Sequence, residues 1–293
     1  MPTPPRSSAT RAALRGALLL GGALAAGGLL AAADPARSSF PGANGLIAFE
    51  RGSSIFVMSP SGRGQRLVPG TGGAGSPVWS PSGRQLAFEE SADPVTGGES
   101  VGVINADGTG RRKVTDGSDP AWSPDGRRIA FEDGGAIWVV DANGSGRRRV
   151  VRNGDAPAWS PTGRVIAFTR KRGSNVDIFV VGTSGTRLRR LTSAPGKDDE
   201  PEWAPSGRRL AFVSDRRGSE NVFVMSASGK RQRQLTRFKG AIEADDPVWS
   251  PDARRIAFER TAGGDDAVFV MSASGKRVRR LASGSNPDWQ RRR

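Results

Sequence analysis

Pro120-Ala121-Trp122-Ser123-Pro124-Asp125-Gly126-Arg127-Arg128-Ile129-Ala130-Phe131-Glu132 is followed by Ala136-Ile137-Trp138-Val139-Val140-Asp141-Ala142-Asn143-Gly144 and then by arginines running into Val150-Val151. Short apolar or alternating runs, each bounded by Gly, Pro, Asp or Asn, mark β-strands joined by tight turns. Four strands can be drawn. Strand A carries Trp122, strand B is 129–131, strand C is 137–140, and strand D ends at Val150-Val151. Between A and B, proline presets φ and Gly126 is free to take positive φ. Asp141-Ala142-Asn143-Gly144 makes the second hairpin turn in the same way.

The unit repeats. Tryptophans with a proline two places earlier stand at Trp79, Trp122, Trp159, Trp203, Trp249 and Trp289, separated by 43, 37, 44, 46 and 40 residues. That period is close to one four-stranded propeller blade. Strand B recurs at 46–49, 86–88, 129–131, 166–168, 210–212 and 256–258, and strand C at 55–58, 101–104, 137–140, 178–181, 222–225 and 268–271. The first B strand has no Trp strand before it, and Trp289 has no B strand after it. Pairing these two ends completes a sixth blade and removes the exposed edges of a linear stack. The expected fold is all-β: a six-bladed propeller of four-stranded antiparallel blades, its ring closed by the C-terminal Trp strand. The recurring Trp and Phe read as packing between blades.

Cysteine, histidine and tyrosine are absent. No disulfide, thiolate nucleophile or lipid-bearing cysteine can form, and no catalytic triad or imidazole zinc site. No G-x-S-x-G elbow occurs. The first 33 residues hold Arg6, Arg11 and Arg15, no acid, and an apolar run ending in Ala31-Ala32-Ala33. That layout reads as a secretory signal cleaved after Ala33 or Ala36, with an uncleaved anchor as the other reading. A linker (34–43), the propeller (44–290) and a basic tail (291–293) follow. The expected location is therefore periplasmic, cell-wall associated or extracellular.

Trp-Ser-Pro-Asp-Gly-x-x-Ile-Ala-Phe, then a V-F-V-M-like strand and a basic hairpin, resembles the TolB-type β-propeller repeat over residues 44–290. Two departures stand out. The residues before the propeller are expected to hold no separate α/β domain, and the strand C aromatic is Phe56, Trp138, Phe179, Phe223 and Phe269, with Gly102 in the second blade. The resemblance implies a non-catalytic envelope protein that docks a partner at its channel mouth, as that family docks a peptidoglycan-associated lipoprotein.

Strand order sorts the charges between two faces. The D–A and B–C connections carry 24 acids against 11 bases, whereas the A–B and C–D turns with the start of strand D carry 4 acids against 26 bases. On the acidic face Asp119, Asp155, Glu200 and Asp246, with Ser76 and Asn286 at the matching places, are expected to ring the channel mouth. Such oxygens suit calcium or a cationic group of a partner. The basic face gathers Arg111, Arg112, Lys113, Arg147, Arg148, Arg149, Arg189, Arg190, Lys230, Arg231, Arg279 and Arg280. It could meet an anionic cell-wall polymer or membrane surface. Export, and the lack of interleaved aromatics, argue against nucleic acid. Asp141-Ala142-Asn143 and Asn105-Ala106-Asp107 imitate calcium loops but fall in C–D hairpins, and read as turns. The function expected is binding of an envelope protein or polymer. The alternative is a carboxylate-dependent lyase or glycosidase acting on a polysaccharide through Asp198-Asp199-Glu200 and Asp245-Asp246.

Overall fold

A computed structural model describes residues 40–90 and 98–292; the expected signal segment lies outside them. The described residues form six four-stranded antiparallel sheets and no helix. Each sheet runs A-B-C-D outward. The six inner strands are β24 (Ser285–Arg292), β4 (Ala74–Trp79), β8 (Ser118–Trp122), β12 (Asp155–Trp159), β16 (Asp198–Trp203) and β20 (Ile242–Trp249). Each touches the next, in that order, and β20 touches β24 again. The ring is closed. In the first blade β24 pairs with β1 (Ala43–Glu50), Trp289 facing Ile47 and Asp288 facing Ala48, so the first and last strands of the described residues meet in one sheet.

Six apolar cores occupy the six junctions between blades. In each, the Trp and Phe of one blade pack against Ala and Val of the blade before it. Trp122 and Phe131 lie on Val78, Ala87 and Val103, and Trp203 and Phe212 on Ala158, Ala167 and Val180. The closing junction is built alike, with Trp289 and Phe49 on Val248 and Ala257. Small residues on one blade face leave room for the flat rings of the next, and truncating one such buried Trp costs about 3–5 kcal/mol. The strand C aromatic lies beside the strand B Phe, as in Phe212–Phe223 with ring centres 5.6 Å apart. Blade 2 differs because a Cβ on Gly102 would come 2.4 Å from Phe88 Cζ. There the ring lies over the backbone, and Arg111 covers it at 5.1 Å.

An arginine opens strand D in every blade: Arg66, Arg112, Arg148, Arg189, Arg233 and Arg279. Five of them reach a carbonyl in the C–D turn of the next blade: Arg112 to Ala142 (2.6 Å), Arg148 to Thr183 (2.9 Å), Arg189 to Ser228 (3.2 Å), Arg233 to Ser274 (3.4 Å) and Arg279 to Ser61 (3.0 Å). The last crosses the closing junction. On this same face the start of the described chain crosses the channel floor. Gly42 N donates to Pro251 O in blade 6 (3.2 Å), and Phe40, 5% exposed, packs into the core between blades 2 and 3.

Deleting residues 285–293 is expected to abolish cooperative thermal unfolding followed by circular dichroism, because β1 loses its inner partner. Arg148→Ala is expected to cost about 1 kcal/mol in urea unfolding, the worth of a solvent-exposed charge-assisted hydrogen bond.

Candidate functional site: the channel mouth

Each inner strand carries a bulge three residues before its Trp, and the bulged residue is left-handed: Ser76 (φ 50), Asp119 (φ 53), Ala156 (φ 48), Glu200 (φ 51), Asp246 (φ 51) and Asn286 (φ 53). The bulge turns the strand away from its B partner at the mouth. A non-glycine residue at positive φ is held only by its surroundings. The hold is a carboxylate on the amide of every one of the six. Ser76 N donates to Glu50 (3.2 Å), Asp119 N to Glu89 (2.6 Å) and Asn286 N to Glu259 (3.2 Å). These three acids follow the strand B Phe of the preceding blade. In the other three blades that cap is missing or engaged elsewhere. Glu132 takes Gly135 N (2.5 Å) instead, and Thr169 and Val213 replace the acid. Asp155 then caps Ala156 (2.9 Å), Asp199 caps Glu200 (2.9 Å) and Glu200 caps Asp246 (2.6 Å).

Five of the six residues expected at the mouth occupy the bulge. Asp155 does not. It stands one place earlier, and the position matching Ser76 and Asp119 is Ala156. Asp155 nonetheless reaches the mouth, where its charge acts on the carboxyl of Asp119. Asp119 is fully buried, and no N–H or hydroxyl donates to either of its oxygens. Burial, then the charges of Asp155 and Glu89, push its carboxyl well above the carboxylate range. Burial pushes Asp155 up to about 7. Burial and the facing Glu99 push Glu89 up to about 8. Carboxyls behave so when desolvated beside like charges.

Between blades 4 and 5 stands a group that sequence reasoning missed. Lys197, 9% exposed, places Nζ 3.2 Å from both Asp199 and Glu220. Carboxylates including Glu200 and Asp245 hold its ammonium well above the ordinary lysine range, against the cost of burial. A lysine opening the run Lys197-Asp198-Asp199-Glu200 was the available signal. Asp198, buried, bonds Ser214 Oγ and Arg216 (2.6 Å each), so the paired acids are bound up in structure. Among the described residues no group of three or more acids is arranged to hold a metal ion.

Most of the basic-face residues also have partners in the molecule. Besides the blade staples, Arg111 bonds Gly70 O (2.7 Å) and Glu90 (3.1 Å), Lys113 pairs with Asp116 (2.5 Å) and Arg190 with Asp177 (2.7 Å). Arg147 bonds Asp133 and, with Arg149, covers Trp138 at 4.6 and 5.7 Å. Three aromatic rings, Phe88, Phe131 and Trp138, therefore do interleave with these arginines. Arg280 bonds Ser283 Oγ (2.6 Å), while Lys230 and Arg231 are exposed on the C–D turn.

Residues 120–288 match the TolB beta propeller domain. The chain belongs to that family. Over 48 residues it is 52% identical to the Tol-Pal system protein TolB of Gluconobacter oxydans (strain 621H), a stretch covering 16% of this chain and 10% of that protein. The fold is similar to TolB from Acinetobacter baumannii, with a TM-score of 0.71 and 18% identity over 84% of this chain and 66% of that one. It is also similar to a putative TolB from Agrobacterium tumefaciens, with a TM-score of 0.69 and 22% identity over 83% and 91% of the two chains.

Because Glu89 and Asp155 bind protons more tightly folded than unfolded, their contribution to stability is present at low pH and lost as pH rises through about 7 to 8, and Asp119 acts in the same direction. Tm is expected to fall by about 5 °C between pH 6 and pH 9. Ala156→Gly, relieving a left-handed alanine, is expected to stabilise by about 1 kcal/mol in urea unfolding.

Proposed function

We infer that this protein is an exported, non-catalytic component of the cell envelope that docks a protein partner at the acidic channel mouth. Family membership supports an envelope binding role, and the Gluconobacter relative bears the name of a Tol-Pal system protein. The observation that carries the choice of face is the commitment of charges. The arginines of the basic face are spent largely on joining blades, whereas the blade 2 to blade 4 side of the mouth gathers acids on which the strongest charges are other acids. A lyase or glycosidase is not favoured, since Asp198 and Asp199 are held by Ser214, Arg216, Lys197 and the Glu200 amide.

The test is capture from native envelope extract on immobilised protein at low and high salt, read by mass spectrometry. A protein retained at high salt by the wild type and by an Arg112→Ala, Arg148→Ala pair, and lost from an Asp119→Ala, Asp246→Ala pair of unchanged circular dichroism, is the expected result. Retention only of anionic polymer, washed off by salt, would move function to the arginine face.

A further inference from the structure

Blade 6 departs from its neighbours on the basic face, away from the mouth. There β21 (Arg255–Ala262), β22 (Asp265–Ser272) and β23 (Arg279–Ser283) run side by side, Arg255 facing Ser272 and Val270 facing Arg279. The A–B and C–D turns are tied together, Ala273 N donating to Arg254 O (2.8 Å). Four arginines, Arg254, Arg255, Arg277 and Arg279, line a cavity of about 330 Å³ here, and no acid takes part in the lining. Asp252, the acid of the A–B turn, is taken up by Ser250 Oγ (2.6 Å) and Arg254 N (3.0 Å).

Two of these arginines have left the structural work of their counterparts. At the Arg255 place, Arg128 and Arg209 stack on the Trp of the following blade, 5.3 Å from the Trp159 ring and 4.8 Å from that of Trp249. Arg255 makes no such stack. Among the described residues neither its guanidinium nor that of Arg277 has a hydrogen bond, an ion pair or a ring contact. The turn is also rebuilt. Two places before the arginine that opens strand D, blades 1 to 3 have glycine at positive φ: Gly64 (φ 65), Gly110 (φ 67) and Gly146 (φ 65). In blade 6 that left-handed residue is Arg277 (φ 59). The next place holds Arg111 and Arg147 in blades 2 and 3, paired with Glu90 and Asp133, but the exposed Val278 in blade 6. An arginine has thus moved from a place with an acidic partner to one that a side chain disfavours, and there it faces other arginines.

We propose that the arginine-lined cavity of blade 6 binds a phosphoryl group, carried by a free phosphate ester or by a lipid headgroup. Four guanidiniums with no acid among them repel one another, and an anion shared between them removes that repulsion. A phosphoryl group brings three acceptor oxygens and close to two charges. A carboxylate brings two oxygens and one charge, enough for a single guanidinium fork. Guanidinium forks match phosphate oxygens in pairs, which a cluster of lysines would not do. Arg279 spends one Nη on Ser61 O (3.0 Å) and keeps its other donors. A cavity of about 330 Å³ lies at the small end of ligand pockets and suits one phosphoryl group with a compact substituent. This site lies on the other face from the mouth and stands whether or not a partner docks there.

Calorimetric titration of the protein with inorganic phosphate, with glycerol phosphate and with acetate tests this. About 0.15 M salt is kept throughout, so that diffuse attraction is screened beyond about 8 Å. Phosphate and glycerol phosphate are expected to bind, and acetate is not. Arg255→Gln and Arg277→Gly should each weaken binding about tenfold or more, and Arg127→Gln, on the same face in blade 3, should leave it unchanged. Arg277→Gly should also raise the Tm of the phosphate-free protein by about 2 °C, because it relieves both the left-handed backbone and the repulsion between arginines. A fall in Tm would make Arg277 a structural residue and count against the proposal. Co-sedimentation with phosphatidic acid vesicles but not with phosphatidylcholine vesicles, lost in Arg277→Gly, identifies a lipid headgroup as the source. Binding of glycerol phosphate without co-sedimentation identifies a free phosphate ester. Absence of phosphate binding at this salt, or equal weakening by Arg127→Gln and Arg277→Gly, overturns the proposal.

Discussion

The structure turns on the inner edge of each blade. Strand A pairs with strand B on one side only, and on the other its amides face the channel with no further strand to receive them. At the mouth, where the bulge swings one amide of each strand free, a carboxylate oxygen takes it. In four blades that carboxylate comes from the blade before, so the same contact that satisfies the backbone also sets the angle between neighbours. Removing such a partner leaves a buried donor unsatisfied, which costs about 1–3 kcal/mol. An acidic mouth is thus a condition of the fold before it is a feature of function.

That requirement separates two kinds of acid. Glu50, Glu259 and Asp199 each hold an amide, and their numbers follow from the count of blades. Asp119 holds none. It occupies the bulge itself, left-handed and fully buried, against Asp155 and in the field of Glu89. Stability alone would favour a serine or asparagine there, as at Ser76 and Asn286, and a residue kept against the stability of its own site points to binding. Lys197 makes the complementary point, since it neutralises Asp199 and Glu220 from within.

The blades were legible because turn chemistry and strand alternation are local, and six copies average away any single ambiguous segment. Even ring closure could be read from an unpaired strand at each end. The mouth was legible in part. Ser76, Asp119, Glu200, Asp246 and Asn286 share one offset from Trp, but Asp155 attracted the eye where Ala156 is the matching residue, because charge is easier to see than a φ angle. Lys197, the floor formed by Phe40 and the carboxylates that cross between blades depend on the angular placement of residues far apart in sequence. The arginines follow the same logic: Arg66, Arg112, Arg148, Arg189, Arg233 and Arg279 recur at one offset, and five of them make the contact between blades that such a period signals.

The central claim is that burial and mutual repulsion crowd Glu89, Asp119 and Asp155 at the channel mouth, and their own titration measures this. Carboxyl carbons of Asp and Glu can be followed by nuclear magnetic resonance from pH 3 to pH 10. The account expects Asp155 to titrate at about 7 and Glu89 at about 8. Titration of both below pH 5 would contradict it, since these carboxyls would then be at ease in the fold.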